Sequence, residues 1–167
     1  TYSEHQKAFH RFPDPISNGV TKQGGSAITD GPVSDFVSQA LTFNGATDKF
    51  TVKNRDSLNP SYQAPYSISA WVYMTNSAAS AIVYKDKEWS LFTHNTGTGK
   101  FGVRFWDGNN TNGIQAVTNL QFDEKKWYFV TATKTSNNTA SGLKIYVNGE
   151  LVATTNTNIG AGLGNSN

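Results

Sequence analysis

The string Trp106-Asp107-Gly108-Asn109-Asn110-Thr111-Asn112-Gly113 sets an indole beside four amide or carboxylate side chains. A sugar ring has an apolar face and a polar rim. An aromatic surface flanked by hydrogen-bonding groups is therefore the chemistry that holds it. Alternation along residues 100–106 puts Arg104 on the face of Trp106, and Trp89 or Tyr84 could approach from neighbouring strands. The candidate ligand-binding set is Trp106, Asp107, Asn109, Asn110, Asn112, Arg104 and Trp89. The plain alternative has Trp106 capping the core edge above an ordinary Asp-Gly-Asn-Asn turn, which is the commoner use of such a string.

Catalysis finds less support. Glycoside hydrolysis needs two carboxylates placed across the scissile bond. The glutamates are Glu4, Glu88, Glu124 and Glu150, and the last three fall at turns or strand ends. Asp123-Glu124 adjoins Lys125-Lys126 and reads as a solvated turn. His5, His10 and His94 are too scattered for a triad or a metal triplet. No Gly-x-Ser-x-Gly elbow occurs, and the absence of Cys removes a thiol nucleophile, a zinc finger and a disulfide framework together. The expectation is a protein that binds and does not catalyse.

The elements that would position these residues are strands. Thr, Asn, Ser and Gly make up 66 of 167 residues, while charged residues are 16% against about 25% in an ordinary chain. Thr and the aromatics favour strands, and Asn, Gly and Ser favour turns, so the composition predicts an all-β protein. The length suits one domain with a real core. A net charge of +2 without a basic block gives no footprint for nucleic acid, and no stretch is apolar enough to insert into a membrane.

Residues 1–39 stand apart. A short strand at Ala8–Phe12 is followed by Pro13, Pro15, Gly24-Gly25 and Pro32, which read as a long arm or connection. From 40 to 167 the pattern is a strand-and-turn body. Strands are expected near 40–44, 48–53, 66–74, 80–85, 88–94, 100–106, 113–119, 126–134, 142–148 and 150–155. The Asn148-Gly149 pair predicts a type I′ hairpin. Within strands, Phe101, Val103 and Phe105 oppose Arg104 and Trp106. Similarly, Ile68, Ala70 and Val72 oppose Trp71 and Tyr73, and Leu143, Ile145 and Val147 oppose Lys144 and Tyr146. One aliphatic face per strand builds a core between two sheets. The sequons at Asn109 and Asn137 are expected by chance in so Asn- and Thr-rich a chain.

Four strings in order then resemble one family. They are Ala40–Val52 (ALTFNGATDKFTV), Ser57-Leu58-Asn59-Pro60 with Tyr66–Val72 (YSISAWV), Lys126–Thr133 (KWYFVTAT) and Leu143–Ala153 (LKIYVNGELVA). Together they resemble laminin-G-like, concanavalin A-like lectin/glucanase domains. The resemblance implies a jelly-roll β-sandwich of two antiparallel sheets, with Trp71 and Trp127 as packing residues and Ala8–Phe12 as the first strand. It implies two more family strands after the hairpin. The chain ends at Gly164–Asn167 without their motifs, so a longer natural chain or an open sheet edge is expected. The catalytic Glu-x-Asp-x-x-Glu strand of the related glucanases is not matched. A Ca²⁺ ion, common in such domains, would fall to Asn44 and Asp48, but Asn44 and Thr47 replace acids and favour a plain turn.

The expected function is recognition or attachment outside a cell, at a cell surface or virion surface, with a glycan or glycoprotein as partner. The rival expectation is a structural or decoration component of a virion or adhesin. Residues 1–39 or the open edge would then dock on other chains. An accessory domain attached to a hydrolase is a third.

Overall fold

The computed structural model describes residues 20–23, 27–33, 37–61, 63–94, 99–108, 112–136 and 139–159. The chain divides into two compact units, Thr1–Arg55 and Asp56–Asn167. In the first, β1 (Val20–Gln23) pairs antiparallel with β4 (Lys49–Val52), and β2 (Ala27–Val33) with β3 (Val37–Thr42). Residues expected to form a connection thus carry two strands and the start of a third. Gly31-Pro32 reads as a break because Pro lacks an N–H. Here the β2–β3 register shifts between Asp30 and Val33, and such an irregularity lets a strand carry a Pro. The strand expected at Ala8–Phe12 lies outside the described residues.

The second unit holds the remaining strands: β5 (Tyr66–Tyr73), β6 (Ser80–Lys85), β7 (Trp89–His94), β8 (Lys100–Trp106), β9 (Gly113–Thr118), β10 (Trp127–Lys134), β11 (Leu143–Val147), β12 (Glu150–Val152) and β13 (Thr154–Ile159). One sheet has the order β12-β11-β10-β5, the other β13-β9-β8-β7-β6, and every pairing is antiparallel. Two antiparallel sheets with a shared core and almost no helix make the expected sandwich.

The core comes from the faces that alternation assigns. Leu91, Phe101, Val103, Ile114, Leu143, Ile145 and Val130 are buried, as are Ile68, Val72, Phe105 and Val147. At one end Phe101, Phe122 and Tyr128 close a ring cluster with centroids 5.1–5.9 Å apart. The Asn148-Gly149 turn has φ of 53° and 86°, the left-handed pair a type I′ turn requires. Asn148 does more than turn: its Oδ1 accepts from Phe129 N–H (2.9 Å) and its own N–H donates to Phe129 O (2.8 Å).

One strand was not expected in this form. The segment near 150–155 is two strands, β12 in one sheet and β13 in the other, with Ala153 between them. A strand therefore does follow the hairpin partner, although the chain lacks the motifs that the resemblance implies there. The sequence of β13, Thr-Thr-Asn-Thr-Asn-Ile, hides it because its inward positions are polar. Asn156 Nδ2 donates to Ala140 O (2.7 Å) and Leu143 O (3.1 Å), and Asn158 Oδ1 accepts from Ala140 N–H (3.2 Å). These bonds tie the strand to the 3-10 turn Ala140–Gly142 in place of apolar packing.

Candidate functional site

The outer face of the five-stranded sheet carries the Trp106 region. Register places Tyr84 opposite Ser90, Ser90 opposite Arg104, and Arg104 opposite Gln115. Phe92 sits opposite Gly102, His94 opposite Lys100, and Trp106 opposite Gly113. These side chains alternate with the buried set on the same strands, so the face is fixed by the core behind it.

Two glycines shape it. A Cβ at Gly113 would lie 2.6 Å from Trp106 Cε3 and 3.0 Å from Cδ2, so the indole lies across the space that Gly113 leaves. A Cβ at Gly102 would likewise collide with the ring of Phe92. Each aromatic ring therefore lies down over the glycine opposite it instead of standing off the sheet. Phe92 is buried to 9% exposure although it faces outward, with Gly102 on one side and the Arg104 guanidinium 4.6 Å from its ring centroid on the other. Arg104 is further held by Nε donating to Gln115 Oε1. Trp106 stays half-buried.

At the Trp106 end, the loop to β9 is closed by Asp107. Its Oδ2 accepts from Asn112 N–H (3.0 Å) and Asn112 Nδ2 (3.2 Å), and Asp107 N–H donates to Asn112 O (2.9 Å). The Trp106 N–H donates to Glu88 O (2.6 Å), fastening β8 to the β6–β7 turn. Asn109 and Asn110 lie outside the described residues. At the other end, burial holds the His94 imidazole below its ordinary pKa, and the nearby charges of Arg104 and Lys100 push the same way.

Trp89 does not join the site. It registers with Phe105 and faces the core at 7% exposure, its Nε1–H donating to Leu58 O (3.2 Å) and its ring 5.7 Å from Tyr66. Its alternation partner Leu91 carries the signal that would have placed it inward. Tyr84, the alternative neighbour, is on the outer face and 64% exposed. Phe92, Gln115 and His94 were not picked out from sequence, since only strand register brings them to the face of Arg104 and Trp106, and Lys100, on that face by alternation in β8, was not picked out either.

Trp71 and Trp127 pack, but on the outside. Trp71 pairs with Phe129 (5.2 Å) and Tyr73 with Trp127 (5.3 Å) across β5 and β10. Trp71 and Tyr73 remain 38% and 43% exposed. In the first unit, Asn44 Oδ1 accepts from the N–H groups of Ala46 (2.9 Å), Thr47 (2.9 Å) and Asp48 (3.1 Å), and Asp48 Oδ2 accepts from Asn44 N–H (3.2 Å). The Asn44 oxygen is thereby engaged in its own turn. Among the described residues no group of three His, Cys, Asp or Glu is placed to hold a metal.

Two antiparallel sheets closed on one core form a β-sandwich of the jelly-roll class. The profile of the concanavalin A-like lectin/glucanases superfamily, in its laminin-G form, matches residues 44–167, and the chain is a member of that family. No curated protein matches the chain, and no solved structure does. No helix among the described residues is long and apolar enough to cross a membrane.

Proposed function

We propose that the chain is a non-catalytic extracellular recognition or attachment domain that binds a glycan or glycoprotein on the outer face of the five-stranded sheet. The observation that carries this is Trp106 laid over Gly113, a half-exposed indole pinned at the sheet surface beside Arg104, Gln115 and the Asp107–Asn112 loop. A ring already fixed in place loses little freedom when a sugar stacks on it. Membership of a lectin and glucanase superfamily supports the ligand class. The sequences of β6, β7, β8, β9 and β13 contain no Asp or Glu, so these strands do not offer the carboxylate pair that hydrolysis requires.

The test is a glycan array on the full chain, with Trp106→Ala as control. Saccharide binding that falls away in the variant supports the proposal. No binding by the wild type, or binding untouched by the substitution, overturns it.

A second reading is a structural component of a larger assembly. It is favoured by β5, an eight-residue strand at the edge of its sheet among the described residues, whose outward side chains include Trp71 and Tyr73. It predicts concentration-dependent association in sedimentation, weakened by Trp71→Ser. A monomer at all concentrations refutes it.

A further inference from the structure

We infer that the ligand of the Trp106 face is an acidic saccharide whose carboxylate or sulfate is gripped by Arg104, with Lys100 and His94 alongside. This rests on the glycan reading above and specifies its ligand.

The charge pattern is one-sided. The five strands of the sheet carry the cations Lys85, Lys100 and Arg104, the imidazole of His94, and no acid at all. Lys85 is turned to Glu88, with Nζ 2.6 Å from the carboxylate, and the other described ion pair, Lys126 with Asp123, belongs to a separate turn. Arg104 and Lys100 have no carboxylate partner among the described residues. Two acids border the face at the Trp106 end: Glu88, whose carboxylate holds Lys85, and Asp107, whose Oδ2 accepts from Asn112.

Arg104 is also prepared geometrically. Gln115 holds its Nε and the Phe92 ring supports its guanidinium plane, while no described hydrogen bond uses the two terminal NH₂ groups. A guanidinium fork fits the two oxygens of a carboxylate or sulfate, and immobilising it beforehand removes part of the ordering cost of binding. A half-buried cation lacking a counter-charge is costly in the free protein, and an anionic ligand relieves that cost. Register places Arg104 two residues from Trp106 on one strand, about 7 Å along it. A sugar ring on the indole can therefore set its acidic substituent over the guanidinium.

The experiment is calorimetric titration of the full chain with matched saccharide pairs. Suitable pairs are sialyllactose against lactose, a glucuronic acid-containing tetrasaccharide against its carboxyl-reduced form, and a sulfated tetrasaccharide against its desulfated form. In at least one pair the acidic member should bind about tenfold or more tightly, the scale of a charged hydrogen-bonded contact. Which pair responds distinguishes carboxylate from sulfate. Arg104→Gln should erase the preference while leaving neutral-sugar binding, and Arg104→Lys should restore only part of it. Lys100→Gln, at the start of β8, should lessen the preference and keeps the test open should Arg104→Gln fail to fold. Equal affinity within every pair, or a preference that survives Arg104→Gln, overturns the inference while the glycan reading stands. Absence of binding to both members of all pairs overturns the two together.

Discussion

Replacing Gly113 with Ala asks whether the indole is truly laid on the sheet. The new Cβ would sit 2.6 Å from Trp106 Cε3 and 2.9 Å from Phe105 O. Ordinary carbon contacts are about 3.5–4.0 Å, so the indole must rise by roughly 1 Å. The carbonyl cannot yield as easily, because β8 is hydrogen-bonded to strands on both sides. Overpacking of this kind costs about 1–3 kcal/mol. Removing a strand glycine returns about 0.5–1 kcal/mol by restricting the unfolded chain. The net expectation is a loss of about 1–2 kcal/mol, read as a lower urea midpoint at constant m-value. The decisive measurement repeats Gly113→Ala in a Trp106→Ala background. There the indole clash is gone and the carbonyl clash remains, so the cost should fall by at least about 0.5 kcal/mol, outside the additivity expected of independent sites. Costs that simply add would mean that Trp106 does not rest on Gly113, and the preformed stacking surface would go with it. If the surface is real, Gly113→Ala should also weaken saccharide binding in proportion to the ring's displacement.

Two further outcomes follow from the same geometry. Asn148→Ala should lose about 2 kcal/mol by urea unfolding, combining left-handed strain at φ 53° with the lost bond to Phe129 N–H, whereas Asn148→Gly should lose about half of that; the reverse order would refute the assignment. His94 is held below its ordinary pKa by burial and then by Arg104 and Lys100, so as pH falls the unfolded chain takes up the proton first. Stability present above about pH 6.5 should therefore decline below it, and the decline should shrink in Arg104→Gln. A pH profile identical in His94→Asn would contradict this.

The body of the sandwich was legible wherever a strand has one aliphatic face. Phe101, Val103 and Phe105 announce β8, and Leu143, Ile145 and Val147 announce β11, because burial on one side imposes a period of two. Legibility failed where a strand does not bury apolar side chains. Inward Asn156 and Asn158 answer backbone groups of the 3-10 turn, so β13 lacks the hydrophobic alternation that marks a strand. β2 hides its Gly31-Pro32 where its register with β3 shifts.

The site divides in the same way. Sequence alone singled out Trp106 and Arg104 and placed them on one face, since both follow from alternation within a single strand. It offered Trp89 to that face, although alternation with Leu91 in its own strand turns Trp89 to the core. Only the folded sheet set Phe92 and Gln115 beside Arg104, Gly113 beneath Trp106, and His94 opposite Lys100. Local pattern fixes which way a side chain points along its own strand. Which side chains stand next to one another across strands is decided by long-range hydrogen bonding between segments, and no short stretch of sequence encodes that.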